Sequence, residues 1–518
     1  MHFTRSRNWN NGSGSILDNR LDTVIDEQDL SPFWRAVVRY GLAIVVAFFY
    51  ITIVLHYSYT PDDTYIYLQY ARNIAGGDGF SFNPNSPSYG VTGPLWALLI
   101  AAGVKSGLDP FIVAKTFDIL FASLSIVVVY VLSVSLIRDR VYAFIAALVF
   151  SLDAWFLRWS ASGMETSLAV LLVLLTVRYA YEGDYLIAGF VAGLLTLVRP
   201  EGVLLFLVIQ LENSITSYFL RKGQRLLWIG TALYLIVVVP WLLYSLMRFG
   251  SMVPNTQLAK SATSFSLIDF FGTLVASATI LGSTQLVAIV LLLFGVPFVV
   301  RNMGIGHIIG KMLPLLWILG LPLGYAVLNV QVVSRYLVPL IPLIIIYAFW
   351  CFKQLELVKL WKQERAYVFL SIVALACILQ SQLVYRIKVV PHMKSFSIGM
   401  EEGIKPIALW LRTNTPDTAT VLTPDVGLLG YLAHRRFFDT AGLVSPDVRR
   451  AFGALSYEEG MKRRLYRSVI KPDYIVDRSS VPARLTADSV RPIMTSEFIG
   501  LGIAQPDSVY YTLYRIIQ

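Results

Sequence analysis

Two acidic residues, Asp62 and Asp63, stand side by side just past the first long apolar run, in YITIVLHYSYTPDDTYIYLQYARNI, where Pro61 breaks the run before them. Carboxylates at a membrane surface cost free energy and persist mainly where they do chemistry or bind ions. One so placed can act as a general base, taking the proton of a hydroxyl as that hydroxyl attacks. Capping the next helix is the structural alternative, but one carboxylate is enough for a cap, which leaves the other to explain. Glu165, in RWSASGMETSL, opens a later apolar segment and could hold an acceptor, or a metal together with an Asp of the pair. A first-turn acid favoured by the helix dipole accounts for Glu165 equally well.

Cations at the ends of apolar runs come next. Arg199, in LTLVRPEG, and Arg335, in VVSRYLVP, are lone guanidinium groups that could grip a donor phosphate with a planar fork of N–H donors; snorkelling toward the interface is the bland alternative. The segment FGSMVPNTQLAK carries Asn255 and Lys260, and its Pro-Asn-Thr turn offers amide and hydroxyl groups suited to sugar or phosphate, an ordinary structured turn being the equal alternative. Tyr65, beside the acidic pair, and Asn255 are the substrate-loop candidates. His434 with Asp425 and Asp439 has no nucleophile elbow, metal-ligand spacing or phosphate loop around it, and reads as hydrogen bonding inside a domain.

These residues are held by apolar sequence. The chain has 518 residues, 56% hydrophobic and only 15% charged, against about 25% charged in soluble domains. Its apolar stretches fall near 36–56, 115–137, 141–157, 164–181, 185–198, 201–219, 226–247, 277–300, 312–329, 335–352 and 367–386. They lack strand-like alternation and approach the roughly 20 residues that cross a hydrocarbon core, so they read as membrane helices. The expected fold is an α-helical polytopic membrane protein with about 11 spans, followed by a soluble α/β domain. Two cysteines, Cys351 and Cys377, are too few for a disulfide framework. The net charge of +10 is accounted for by loops facing anionic lipid rather than by nucleic acid.

Charge sets the orientation. With the short segment 91–109 lying in the interface, one side collects Arg138 and Arg140, Arg221, Lys222 and Arg225, Arg301 and Lys311, and Lys353, Lys359, Lys362 and Arg365. The other side holds mostly single cations, so the positive-inside rule places the amino terminus in the cytoplasm and the carboxyl terminus outside. The expected organisation is a cytosolic tail over 1–35, a transmembrane catalytic domain over 36–386 with its first outer loop at 57–114, and an outer α/β domain over 387–518. The first 30 residues are polar and of mixed charge, unlike a cleavable leader. In the outer domain, TATVLT, RFFDT, DYIVD and SVYYTLYRII read as strands, and 401–412 and 457–468 as helices.

The order of DDTYIYLQYARNIAGGDGFSFNP, YGVTGPLW, SGMETSL, LVRPEG, FGSMVPNTQLAK and SRYLVPL resembles the GT-C superfamily of polytopic membrane glycosyltransferases. Within it, the bacterial branch that includes the mycobacterial arabinofuranosyltransferases is the most similar. The resemblance implies inverting transfer of a sugar from a polyprenyl-phosphate donor to an envelope glycan, glycolipid or protein on the outer side of an inner membrane. It also implies that an Asp of the first loop is the base. Asp62, as the first acid, would take that role with Asp63 assisting or capping, Glu165 would be the second-loop acid, and Arg335 the cation near the donor phosphate. Some relatives use a divalent metal and others none, and the second outer loop here has no clear Asp-x-Asp. The rivals are an O-antigen polymerase or ligase, which would rely on outer-loop Arg and His, and a lipid-linked sugar transporter. A transporter should show charged residues deep in its spans, for which Asp118 and Asp153 are the acidic candidates.

Overall fold

The computed structural model describes residues 30–517, apart from short breaks at 220–224, 257–265, 303–304, 356–361, 446, 449–454, 456, 466, 468–469, 486–488 and 504–507. Lys260, Arg221, Lys222, Lys359 and most of the expected cytosolic tail lie outside the described residues. All eleven apolar segments are helical. Six helices are long and apolar enough to cross a membrane by themselves: α1 (Pro32–Val54), α4 (Pro110–Ile137), α10 (Arg225–Phe249), α11 (Leu267–Asn302), α13 (Ser334–Gln354) and α14 (Gln363–Asn414). The pair α5 (Arg140–Ser151) and α6 (Ala154–Ser160) makes a seventh if counted as one span. The protein is a multi-pass helical membrane protein, but length alone does not reach eleven crossings. The shorter segments are α7 (Thr166–Tyr181), α8 (Tyr185–Val198), α9 (Gly202–Phe219) and the second part of α12 (Ile305–Val327).

The segment 141–157 bends by 63° where a single span was expected. Asp153 restarts the helix there as an N-cap, accepting from the Trp155 and Phe156 N–H groups at 3.0 Å each, while Gln285 Nε2 donates to its other oxygen at 2.8 Å. A carboxylate at that position satisfies N–H groups that apolar surroundings could not. Asp153 is thereby a structural cap. The segment 91–109 holds only α3 (Pro94–Lys105), whose 12 residues span roughly 18 Å, less than the hydrocarbon core.

Between α1 and α3 the chain turns through α2 (Asp62–Gly76) and a small hairpin, β1 (Ser81–Asn83) with β2 (Ser86–Pro87). The carboxyl-terminal part of α14 leaves the bundle and leads into a five-stranded mixed sheet of order β4-β3-β5-β7-β6. Its strands are β3 (Thr420–Thr423), β4 (Arg436–Asp439), β5 (Tyr474–Ser479), β6 (Val490–Ile499) and β7 (Ser508–Ile516). β3 runs parallel to β4 and β5, and β7 antiparallel to β5 and β6. The four expected strands are present. β6 is an addition, because VRPIMTSEFI carries Pro492 at a register shift, tolerable at an edge but discouraging as a sequence signal.

The sheet domain is seated on the first loop, and on the turn after α10, by side chains that bond backbone. Asn83 and Phe437 exchange two hydrogen bonds, Nδ2 to O at 2.8 Å and N to Oδ1 at 2.9 Å. Arg72 donates to the Tyr431 carbonyl at 2.8 Å with its guanidinium 4.1 Å from that ring. Asn255 Nδ2 donates to the Leu443 carbonyl at 3.0 Å.

Helices in lipid have no hydrophobic drive to associate, and small residues let backbones approach closely enough for dispersion to hold them. α8 and α10 meet in this way: a Cβ added at Gly189 would lie 2.2 Å from the Gly230 carbonyl oxygen. Gly189→Val is therefore expected to lower the thermal midpoint of the detergent-solubilised protein by several degrees, since overpacking costs about 1–3 kcal/mol. Gly282→Ala, whose methyl meets nothing within 4 Å, should not lower it. Equal midpoints for the two variants would contradict this packing account.

Candidate active site

Asp62 and Asp63 are the first two residues of α2, one step of about 100° apart on the helix, and they face different ways. Asp62 turns to the sheet domain: the N–H groups of Gly427 and Leu428, opening α15 (Gly427–Ala433), donate to its two oxygens at 2.9 and 2.8 Å. A Cβ on Gly427 would lie 2.1 Å from the Asp62 carbonyl oxygen, so glycine permits the approach. Burial, with the charges of Asp425 and Asp63, pushes the Asp62 carboxyl up to about 7 against the pull of the Leu428 and Gly427 N–H groups. That strength would suit a base, but Asp62 is not on a cavity wall. Asp63 is, with its carboxylate 41% exposed and its Oδ2 accepting from Arg335 Nη2 at 2.5 Å.

The cavity measures about 560 Å³ and lies where α2, the start of α7, the α8–α9 turn, α12 and the start of α13 converge. It brings together Asp63, Glu165, Arg199 and Arg335 among the residues singled out in the sequence. Arg199 Nη2 donates to Glu165 Oε1 at 2.8 Å, and Nη1 to Glu201 Oε1 at 3.3 Å. Tyr325 Oη donates to the same Glu201 oxygen at 2.8 Å. The two guanidinium groups lie 5.3 and 5.4 Å from the Tyr336 ring centre. Glu165 Oε2, Arg199 Nε and Arg335 Nε are buried and have no hydrogen-bond partner among the described residues. Buried donors and acceptors left this way on a cavity wall are available to a ligand.

Two of the other candidates fall outside the cavity. Tyr65 packs on Tyr431 of the sheet domain with ring centres 5.7 Å apart, and Asn255 holds Leu443 while its neighbour Thr256 takes the wall position. Glu201 and Tyr325 were not singled out from sequence. Glu201 sits two residues after Arg199 in the quoted motif and was legible as its counter-charge, whereas nothing marks Tyr325. Among the described residues no histidine lines the cavity: His434 meets Arg72, and His392 Nδ1 lies 3.4 Å from Arg158 Nη2.

The loop carrying Glu165 is clamped from within the bundle. Asp118 accepts from the Gly163 N–H at 2.7 Å and from the Ser162 and Ser167 hydroxyls. Lys115, one turn earlier on α4, donates to the carbonyls of Tyr59 at 2.6 Å and Ala161 at 2.5 Å. These charges deep in the bundle therefore have partners that the sequence did not show: backbone groups and two serine hydroxyls in and beside the loop that carries Glu165.

A divalent ion does not fit the donor set. Among the described residues no group of three or more His, Cys, Asp or Glu side chains could hold one. Each carboxylate on the cavity wall is also turned to a guanidinium or a phenol, and a dication would have to displace or face those cations.

No curated protein matches the sequence. Residues 395–514, which contain the sheet up to Tyr514 of β7, match a family model described as a domain of unknown function (DUF8728). Among solved structures, the Archaeoglobus fulgidus oligosaccharyltransferase in its apo form superposes with a TM-score of 0.57 at 15% identity, covering 84% of this chain and 69% of that one. ArnT from Cupriavidus metallidurans, bound to undecaprenyl phosphate, gives 0.54 at 13% identity over 93% of this chain and 98% of that one. The mycobacterial arabinofuranosyltransferase AftD overlays at 0.48 and 16% identity, over 94% of this chain and 42% of that one. The chain therefore shares the overall fold of the oligosaccharyltransferase and of ArnT.

Proposed function

We infer that this chain is a glycosyltransferase that moves one sugar, with inversion, from a polyprenyl-phosphate donor to an envelope glycan, glycolipid or protein acceptor. The observation that carries the reading is the cavity itself, which sets an accessible carboxylate, Asp63, against two buried guanidinium groups with unused N–H donors. ArnT was solved with undecaprenyl phosphate bound, and a ligand of that chemistry suits this site. The phosphate would take the fork of Arg335 and the Nε–H of Arg199, while Val203, Leu204, Leu321 and Leu328 on the wall would pack its prenyl chain.

Chemistry then follows from charge. The acceptor oxygen bonds to the anomeric carbon, the bond from that carbon to the phosphate oxygen breaks, and its electron pair leaves with the polyprenyl phosphate. Charge developing on that phosphate is met by guanidinium groups fixed in advance. The acceptor proton goes to Asp63, which acts as general base. Because Arg335 holds Asp63 in the free protein, a phosphate arriving on Arg335 would loosen that ion pair and release an oxygen of the base. Asp62 is assigned the cap between loop and sheet domain, and Glu165 the role of fixing Arg199. The division at 386/387 and the outer placement of the sheet domain are proposed with the same reading. A wholly outer site has no nucleotide-sugar pool, which favours a lipid-borne donor.

The test is transfer by the protein in lipid nanodiscs, supplied with a panel of polyprenyl-phosphate sugars and crude envelope acceptor. Asp63→Asn should lower kcat by roughly 10²- to 10⁴-fold while undecaprenyl phosphate still binds. Asp62→Asn should keep measurable transfer and lose about 1 kcal/mol of stability with the weakened cap. Loss confined to Asp62→Asn, in a folded protein, would exchange the two roles; unchanged transfer in both would remove the pair from catalysis. Arg335→Lys keeps the charge and loses the fork, and should weaken undecaprenyl-phosphate binding by about tenfold or more. Unchanged binding in Arg335→Lys would place the phosphate elsewhere.

A further inference from the structure

In the motif RWSASGMETSL, Glu165 lies on the cavity wall and Trp159 does not. Trp159 is 6% exposed and sits near the end of α6, the short helix that the 63° bend at Asp153 sets off from α5. There its indole meets the start of α13: Nε1 donates to the Ser334 hydroxyl at 2.9 Å. Ser334 immediately precedes Arg335, and the Arg335 guanidinium carbon lies 5.6 Å from the centre of the same indole. The ring is itself held by its other neighbours. The Arg158 guanidinium carbon is 5.1 Å from its centre, and Tyr59 meets it edge-on at 6.3 Å. Arg158 in turn donates through Nε and Nη2 to the Tyr59 hydroxyl at 3.1 and 3.0 Å.

Arg335 needs a fixed partner because of the exchange proposed for it. In the free protein its Nη2 is on Asp63, and its Nε has no hydrogen-bond partner among the described residues. Once a phosphate draws it from Asp63, two aromatic rings remain beside it, Trp159 at 5.6 Å and Tyr336 at 5.4 Å. A ring face attracts a guanidinium without taking any of its N–H donors, so this hold persists while the donors change partner. Tyr336 is shared with Arg199 at 5.3 Å and lies on the cavity wall, where a substrate can press on it. Trp159 is off the wall, and tryptophan offers the strongest face of the aromatic side chains. A long side chain without that support has to be ordered again at each binding event, which costs affinity.

We propose that Trp159 is a positioning residue for the donor phosphate, keeping the Arg335 fork aimed into the cavity while that guanidinium passes from Asp63 to the phosphate. It touches neither the lipid nor the sugar and acts through Arg335. The inference rests on the reading of Arg335 as the phosphate-binding cation, and adds to it the element that keeps the fork in place.

The experiment is a double-mutant cycle on the full chain in nanodiscs, read as binding of undecaprenyl phosphate, with Trp159→Leu and Arg335→Met as the two changes. With Arg335 present, Trp159→Leu should weaken binding roughly three- to thirtyfold. With Arg335→Met in place, the same change should weaken it less than about twofold, because no guanidinium remains to be held. Trp159→Phe keeps a ring face and should recover most of the affinity. In transfer from a polyprenyl-phosphate sugar, Trp159→Leu should raise the donor KM and leave the acceptor KM unchanged. A loss of equal size in both Arg335 backgrounds, or unchanged binding in Trp159→Leu, would overturn the inference and leave the phosphate reading standing. Wild type that binds no undecaprenyl phosphate would overturn the phosphate reading and this inference with it. If Arg335→Met binds too weakly to measure, the thermal midpoints of the same four proteins decide: additive shifts overturn the hold, and non-additive shifts uphold it. Trp159→Met takes the place of Trp159→Leu if the leucine variant does not fold, and is read in the same way.

Discussion

Two guanidinium groups, Arg199 and Arg335, are buried at one end of a helical membrane bundle, and that fact constrains the rest. A charge taken out of water is tolerated only when paired and hydrogen-bonded, because desolvation costs several kcal/mol per ion. Glu165, Glu201 and Asp63 supply the pairing, and each arrives on a different element. Asp63 needs α2 to start where it does, Glu165 needs the loop before α7, and Glu201 needs the turn after α8. Lys115 and Asp118 in turn hold that loop from below. The bundle end is a network of interdependent charges, and displacement of any one by a substrate must be felt by the others.

The second constraint is the seat of the sheet domain. It is joined through backbone groups to the first loop, at Gly427, Leu428 and Phe437, and to Asn255 after α10, at Leu443. Bonds of this kind fix position more than they add affinity, since each replaces a hydrogen bond to water. The result is a domain held in register with α2, so that its turn at 439–445 closes one end of the cavity. Asp62 belongs to this joint and Asp63 to the cavity, and the break between them is a single step along one helix.

Much of this was legible in the sequence. Lone charges beside apolar runs are conspicuous because hydrocarbon makes them costly, and Asp63, Glu165, Arg199 and Arg335 do meet in one cavity. The apolar segments are all helices for the same reason. Which aspartate faces the cavity was not legible: adjacent helix positions point about 100° apart, and the choice is settled by a domain that docks more than 360 residues later. Asp118 and Asp153 showed no partner in sequence because their partners are backbone N–H groups and neutral side chains, Ser162, Ser167 and Gln285, rather than opposite charges. The bend at Asp153 was hidden inside an unbroken apolar run, and β6 was masked by Pro492 in an edge strand.

The free protein shows Arg335 holding Asp63, and the chemistry described above requires a phosphate to take over that guanidinium. The most direct measurement is a cryo-EM structure of the protein in nanodiscs with undecaprenyl phosphate added. Density for the phosphate within hydrogen-bond distance of Arg335 and Arg199, with the prenyl chain along Leu321 and Leu328 and an oxygen of Asp63 released, would uphold the account. A lipid phosphate seated away from both arginines, with the ion pair of Asp63 and Arg335 intact, would contradict it.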